Sequence, residues 1–251
     1  MGNIALRAVL LAALATTTAT ASPTKRIVVL DPGHGGSNAG THGLGNAPQG
    51  RGRAADVLHE KQLTLIVANQ VADRLRTKGI TVELTRTGDR TLTLRQRVAR
   101  ADELAADLFV SIHANASPTR TQRGFETFVL TPRGVEVDSR ALRGDTHTPR
   151  PGVDAEIGAV LDDIERGSTQ WESADLAARM QRSLRETRGA ANDRGVRQDA
   201  HHVLLGATMP AVLVEVGFLD HPIEGKQLAE SATQAQIADA IADAIVEQLE
   251  D

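Results

Sequence analysis

The chain has 251 residues, a formal net charge of -4, no cysteine or tyrosine, one tryptophan and four phenylalanines. Few cations beyond balance and few stacking rings exclude the usual nucleic-acid binder and argue against an aromatic platform for sugar rings. Without cysteine there are no disulfide staples and no thiolate zinc sites, so any metal falls to histidine and carboxylate ligands.

Met1 to Ala21 carries one cation at Arg7, then the apolar run Ala8 to Ala15, then small residues ending Ala19-Thr20-Ala21. That order of zones predicts a signal peptide over residues 1–21, cut before Ser22, and hence export to the periplasm or the medium. The apolar run is far below the roughly 20 residues of a membrane span, and no later segment comes closer, so no transmembrane segment is expected. Residues 22–251, about 230 of them, suffice for one domain with a substantial core and are too few for two comfortable ones.

Arg26 to Leu30 is a short β-branched run closed by Asp31-Pro32-Gly33, the pattern of a buried strand entering a turn, and His34 follows at once. Residues 35–53, rich in Gly, Asn and Pro, read as a long irregular loop. From Glu60 to Lys78 the apolar positions Leu63, Val67, Val71 and Leu75 recur every four residues, with Ile66 filling the stripe, and Gly79 closes an amphipathic helix. Thr81 to Thr85 alternates as a strand. Thr93 with Gln96 makes a capping box for a helix reaching about Ala106.

Leu108 to Ile112 is the next buried strand, with His113 at its end, and Phe125 to Leu130 is another. Arg133 to Gln170 interrupts the alternation as an insertion, in which Val153, Ile157, Val160, Leu161 and Ile164 predict a short amphipathic helix. A helix over Asp175 to Thr187, a strand over Ala211 to Val216 and a terminal helix over Ala229 to Leu249 complete the chain. Strands alternating with helices predict an α/β domain around a largely parallel sheet. There is no internal repeat.

Four short motifs concentrate the chemistry: Asp31 to Gly36, His59-Glu60-Lys61, Ser111 to Asn115, and Val214 to Phe218. His34 and His113 each end a strand, and in open α/β sheets ligands bind beyond the carboxyl ends of strands, so both converge on one sheet edge. Glu60 opens its helix, where dipole stabilisation alone would account for a carboxylate. His59 precedes it without the second histidine of an H-E-x-x-H helix, so His59 reads as solvated and Glu60 as the better ligand candidate. Two histidines and one carboxylate make a three-ligand zinc set with a position left for water, and a second carboxylate can take that water's proton. Glu215 interrupts an apolar run, where a buried charge must be paired or functional. Its readings are a general base with a tuned pKa or half of a structural salt bridge with an arginine. Histidines 42, 147, 201, 202 and 221 read as surface or supporting residues.

These residues resemble a known family, the zinc-dependent N-acetylmuramoyl-L-alanine amidases that split septal peptidoglycan in dividing bacteria. The markers are Asp31-Pro-Gly-His-Gly-Gly36, Glu60-Lys61, Thr85-Arg86 with Asp89, Leu94 and Arg97, Ser111-Ile-His-Ala-Asn115, and the run from Pro210 to Leu219, so the likeness spans nearly the whole mature chain. The resemblance implies a six-stranded mixed sheet flanked by helices and Zn2+ bound by His34, Glu60 and His113. It further implies Glu215 as the proton-transferring residue, with Asn115 as a substrate contact. Departures are His221, where such proteins often carry asparagine, and a long 37–53 loop. Some relatives carry, at the position of 133–170, a helix that covers the metal until an activator protein moves it. By that likeness one of Glu136, Asp138, Asp145, Asp154 and Glu156 would sit on or near the zinc. Two other functions remain to be separated from the amidase: a zinc carboxypeptidase or deacylase on other peptides, and a non-catalytic wall-binding module.

Overall fold

The computed structural model describes residues 26–43, 57–130, 155–199 and 202–251. Six strands form one mixed sheet in the order β2-β1-β3-β6-β4-β5. They are β1 (Ile27–Pro32), β2 (Thr81–Leu84), β3 (Leu108–Asn115), β4 (Phe125–Leu130), β5 (Asp193–Asp199) and β6 (Ala211–Phe218). Strands β2, β1, β3 and β6 run parallel, β4 pairs antiparallel to β6, and β5 pairs parallel to β4. The predicted α/β domain with a mixed, mostly parallel sheet of six strands flanked by helices is what the chain adopts.

Continuous apolar runs such as Val28-Val29-Leu30 form strands covered on both faces, because a parallel sheet carries helices on each side. On one face Val28, Leu30, Val110, Ile112, Val212 and Val214 meet α1 (Glu60–Thr77), α3 (Ala155–Arg188) and α5 (Ser231–Glu250). On the other, Val29, Phe109 and Leu213 meet Val98 and Ala101 of α2 (Leu94–Glu103), together with Val203, Leu204 and Met209. Each such core side chain contributes about 1.5–3 kcal/mol by leaving water.

Sequence signals set the helix ends well. Thr93 caps α2 as anticipated: its hydroxyl accepts the Gln96 N–H at 3.2 Å while Gln96 Oε1 accepts the Thr93 N–H at 2.9 Å. After α1, Gly79 takes a φ of 80° and the Gly79 and Ile80 N–H groups close back onto Arg76 and Leu75. Between β6 and α5 lies the short α4 (Glu224–Leu228), so the terminal helix starts at Ser231 rather than Ala229.

Two departures are informative. Strand β5 is absent from the sequence reading because Asp193-Arg-Gly-Val-Arg-Gln-Asp199 lacks apolar alternation; it is an edge strand recruited by pairing with β4. The short helix expected inside the insertion and the one expected at 175–187 are instead a single helix, α3, of 34 residues. Gly167 falls inside it, and one glycine costs only about 1 kcal/mol in a helix otherwise rich in good formers. Ser173 of α3 accepts the N–H of Ala211 at the start of β6, while Arg188 donates to Val216 near its end. The part of α3 before Ser173, about 27 Å at 1.5 Å per residue, therefore rises past the sheet at the edge opposite the end of β6. The leader 1–21 and the insertion residues 133–154 lie outside the described residues.

Candidate metal centre

The carboxyl ends of β1, β3 and β6 form one rim, and the chemistry-bearing residues stand on it. After β1 the chain turns sharply, with His34 at a φ of 59°, a conformation that costs a non-glycine residue about 1–2 kcal/mol and must be held by its surroundings. Two buried arginines hold it. Arg97 donates to Asp31 Oδ1 (2.7 Å), to the Pro32 carbonyl (3.0 Å) and to the His34 carbonyl (2.8 Å). Arg86 donates to the carbonyls of Pro32 (2.9 Å) and Gly33 (2.8 Å). Asp31, fully buried, also accepts from Thr85 and Ser111. Farther along the loop, Asp89 accepts the Gly36 N–H and pairs with Lys61, whose ammonium also donates to the Gly36 carbonyl.

His34, Glu60 and His113 come together as predicted, their ligand atoms all within 4.8 Å of one another. Glu60 Oε1 lies 2.9 Å from His34 Nε2 and 2.9 Å from His113 Nδ1, and the two rings meet edge-on with centroids 4.9 Å apart. Donors around a tetrahedral zinc with bonds of about 2.0–2.1 Å stand roughly 3.3 Å apart, so this trio fits that ion with small adjustment. Asn38 Oδ1 sits 2.9 Å from His34 Nδ1 and fixes which nitrogen faces Glu60. The Glu60 carboxylate is aimed by backbone N–H groups of Ala114 (3.1 Å) and Thr41 (2.9 Å). Glycine is required at 33 and 40: a Cβ at the first would collide with the His113 ring, and at the second with the Glu60 carboxylate.

Electrostatics follow from this packing. Burial works to raise the Glu60 pKa, but hydrogen bonds from His113 and His34 outweigh it and hold the carboxyl down to about 2. For His34 burial opposes charge, and the Glu60 partner more than reverses that, so its pKa is raised.

Glu215 stands in register with His113 across the β3–β6 pairing and opposite Glu126 across β4–β6. Its Oε2 is buried with no hydrogen-bond partner among the described residues. Burial first, then the charges of Glu60 and Glu126, push its pKa well above the ordinary 4.5. Among the described residues no arginine pairs with Glu215, as the structural alternative would require; Arg194 and Arg197 pair with Glu126, at 3.0 and 3.4 Å. Asn115, anticipated as a substrate contact, has its amide NH2 on Glu126 Oε1 at 2.7 Å, so the structure places it in support of that carboxylate.

Sequence reasoning missed Glu126, Asn38 and Thr41. Glu126 was detectable, since Phe125-Glu126-Thr127-Phe128 embeds a carboxylate in an apolar strand just as the Glu215 segment does. Thr41 contributes only a backbone N–H and left no side-chain signal. His59 is half-buried beside His42 rather than fully solvated, because residues 42 and 59 bridge at the mouth of the loop. His221 Nδ1 accepts the N–H groups of Ile223 and Glu224 at the start of α4. Glu136, Asp138, Asp145 and Asp154 lie outside the described residues. The backbone of Glu156 lies in the first turn of α3, in the part that rises away from the trio.

A mixed α/β sheet with a His-Glu-His donor set and a proton-hungry carboxylate on its rim defines a hydrolase equipped for a metal ion. The sequence pattern of the N-acetylmuramoyl-L-alanine amidases matches residues 28–247, and the chain belongs to that family. AmiA of Escherichia coli K12 is 32% identical over 230 residues, covering 88% of this chain and 75% of that protein. The solved AmiC2 amidase of Nostoc punctiforme aligns with a TM-score of 0.66 at 27% identity, covering 90% of this chain and 98% of the other. The catalytic domain of the CwlV amidase from Bacillus (Paenibacillus) polymyxa aligns at 0.61 with 30% identity, over 90% and 98% of the two chains.

Proposed function

We propose that this amidase hydrolyses the bond between N-acetylmuramic acid and L-alanine in peptidoglycan, with Zn2+ held by His34, Glu60 and His113 and with Glu215 carrying the proton. The observation that supports it most is one carboxylate oxygen within 2.9 Å of both imidazoles, with Glu215 in register beside His113. Zinc, when bound, supplies Lewis acidity at the amide carbonyl and makes water acidic near neutral pH.

The protein's own residues do the rest. Glu60, its pKa at about 2, stays anionic throughout the physiological range and offers a constant negative donor. His34 presents Nε2 because Asn38 takes its Nδ1. Glu215, with a raised pKa and a free Oε2, takes a proton from water and returns it to the departing alanine nitrogen. Glu126, fixed by Asn115, Arg194 and Arg197, stands opposite Glu215 and its charge strengthens the hold of Glu215 on that proton.

The leader pattern of residues 1–21 and the polymeric wall substrate support export to the periplasm or beyond. We extend the reading to regulation: the segment after β4, with its acidic residues, restrains access to the metal until an activator protein displaces it. Deleting residues 134–168 should raise activity; unchanged activity would remove the regulatory role.

Digestion of purified peptidoglycan with and without a chelator, followed by mass analysis, tests the main reading. Release of peptides beginning with L-alanine, and of glycans with a free lactyl carboxyl, is the expected result. Release of a C-terminal amino acid instead would make the protein a carboxypeptidase. Binding to the wall without any product would make it a binding module.

A further inference from the structure

Beside the trio lies a pocket of about 430 Å³, lined by Thr41, His42, Ser117, Arg120 and Asp220 among others, which the mechanism above does not use. It adjoins the metal centre through Thr41, whose N–H is bound to Glu60 Oε2, and through the turn that leaves β3 after Asn115. Asp220 is 7% exposed. Its Oδ2 accepts the Ser117 N–H at 2.9 Å, and its Oδ1 is buried with no partner among the described residues. A carboxylate oxygen withdrawn from water with nothing to bond is costly, and a charged donor entering the pocket relieves that cost most effectively. Arg120 is exposed on the same pocket and carries a planar guanidinium suited to a carboxylate.

We propose that this pocket binds the free amino-acid head, ammonium and carboxylate together, of a diamino residue in the peptide stem, with Asp220 receiving the ammonium and Arg120 the carboxylate. The assignment rests on the amidase reading, since it supposes a peptide leaving the trio on the alanine side. An extended peptide advances about 3.3–3.6 Å per residue, so a residue two or three positions beyond the scissile amide stands roughly 7–10 Å from it. That distance suits a pocket whose wall touches a ligand of the trio.

The test compares kcat/KM of the zinc-supplemented full chain on three muramoyl peptides. One has a free diamino head, one is acetylated on its amine, and one is amidated on its carboxylate. Acetylation should lower kcat/KM roughly tenfold or more, chiefly through KM, because a site built around a charged donor rejects the analogue that lacks it. Asp220→Asn, which keeps an acceptor for Ser117, should bring the free-to-acetylated ratio close to one, and Arg120→Gln should do the same for the amidated substrate. Equal kcat/KM of the native chain on the free and acetylated substrates overturns the proposal, whatever the variants do. Titration of the stem peptide without its muramic acid gives a readout independent of turnover, in which equal affinity for the free and acetylated forms overturns it as well. Failure to cleave any of the three would instead refute the amidase reading on which it rests.

Discussion

At Glu215 three features oppose ionisation: it is buried, it faces Glu126 across one strand pairing, and the charge of Glu60, which bonds the His113 facing it across the other, acts on it as well. A carboxyl whose folded pKa exceeds its unfolded value binds more protons in the native state. It therefore takes stability away as pH rises above 4.5 toward the raised value. Glu215→Gln should abolish hydrolysis, by about 10²–10⁴-fold or more, while zinc content measured by elemental analysis stays that of the native chain. The same variant, stripped of metal, should melt above the metal-free native chain at pH 8 and match it near pH 4. Persistent turnover would remove Glu215 from the mechanism.

Glu60 has the opposite sign. Its folded pKa of about 2 lies below the ordinary 4.5, so the stability it supplies is fully present above 4.5 and is lost as pH falls toward 2. Acid melts of the metal-free protein should show this loss, and Glu60→Gln should flatten that limb of the profile. A profile unaltered by the substitution would mean that the carboxylate is not held by the two histidines.

Elements matter here chiefly for how firmly they hold the rim. Strand β1 ends in a buried ion pair, Asp31 with Arg97, whose guanidinium continues to the His34 carbonyl. Removing one partner strands the other charge in the interior, so Asp31→Ala should cost about 3–5 kcal/mol in urea unfolding. By contrast Asp89 is exposed; it accepts the Gly36 N–H of the loop and pairs with Lys61 of α1. Asp89→Ala should leave the urea midpoint nearly unchanged yet weaken zinc retention in competition with a chelator, because the loop carrying His34 loses one of its tethers, at Gly36. A large change in midpoint with unaltered zinc retention would reverse these two roles. At α2, Thr93→Ala removes a cap with both reciprocal bonds formed and should cost about 1 kcal/mol.

For the molecule as a whole, the proposed ion links three distant stretches of chain around residues 34, 60 and 113, so binding stabilises the native state by mass action. Zinc at a hundredfold excess over its Kd should add about 2.7 kcal/mol, read as a rise in Tm that a chelator reverses. A Tm indifferent to both would show that the trio holds no divalent ion.

Much of this organisation was legible in one sequence. Apolar runs fixed five of the six strands, four-residue periodicity fixed α1 and the terminal helix, and the capping residues set where α1 stops and α2 starts, because these are local consequences of backbone geometry and side-chain burial. His34, Glu60, His113 and Glu215 stood out because each places a titratable group at the end of an apolar element. Strand β5, the continuity of α3, the backbone donors at Thr41 and Ala114, and the Glu126 partnership did not stand out. Each depends on what another part of the chain brings alongside, and neither periodicity nor composition records such an encounter. The sequence by itself determined the chemical types at the rim and the α/β alternation that carries them. Only the tertiary structure decided which nitrogens face Glu60 and that, among the described residues, arginine goes to Glu126 rather than Glu215 and Asp220 keeps an unpartnered oxygen at the pocket beside the trio, since those outcomes are set by distances between residues far apart in the chain.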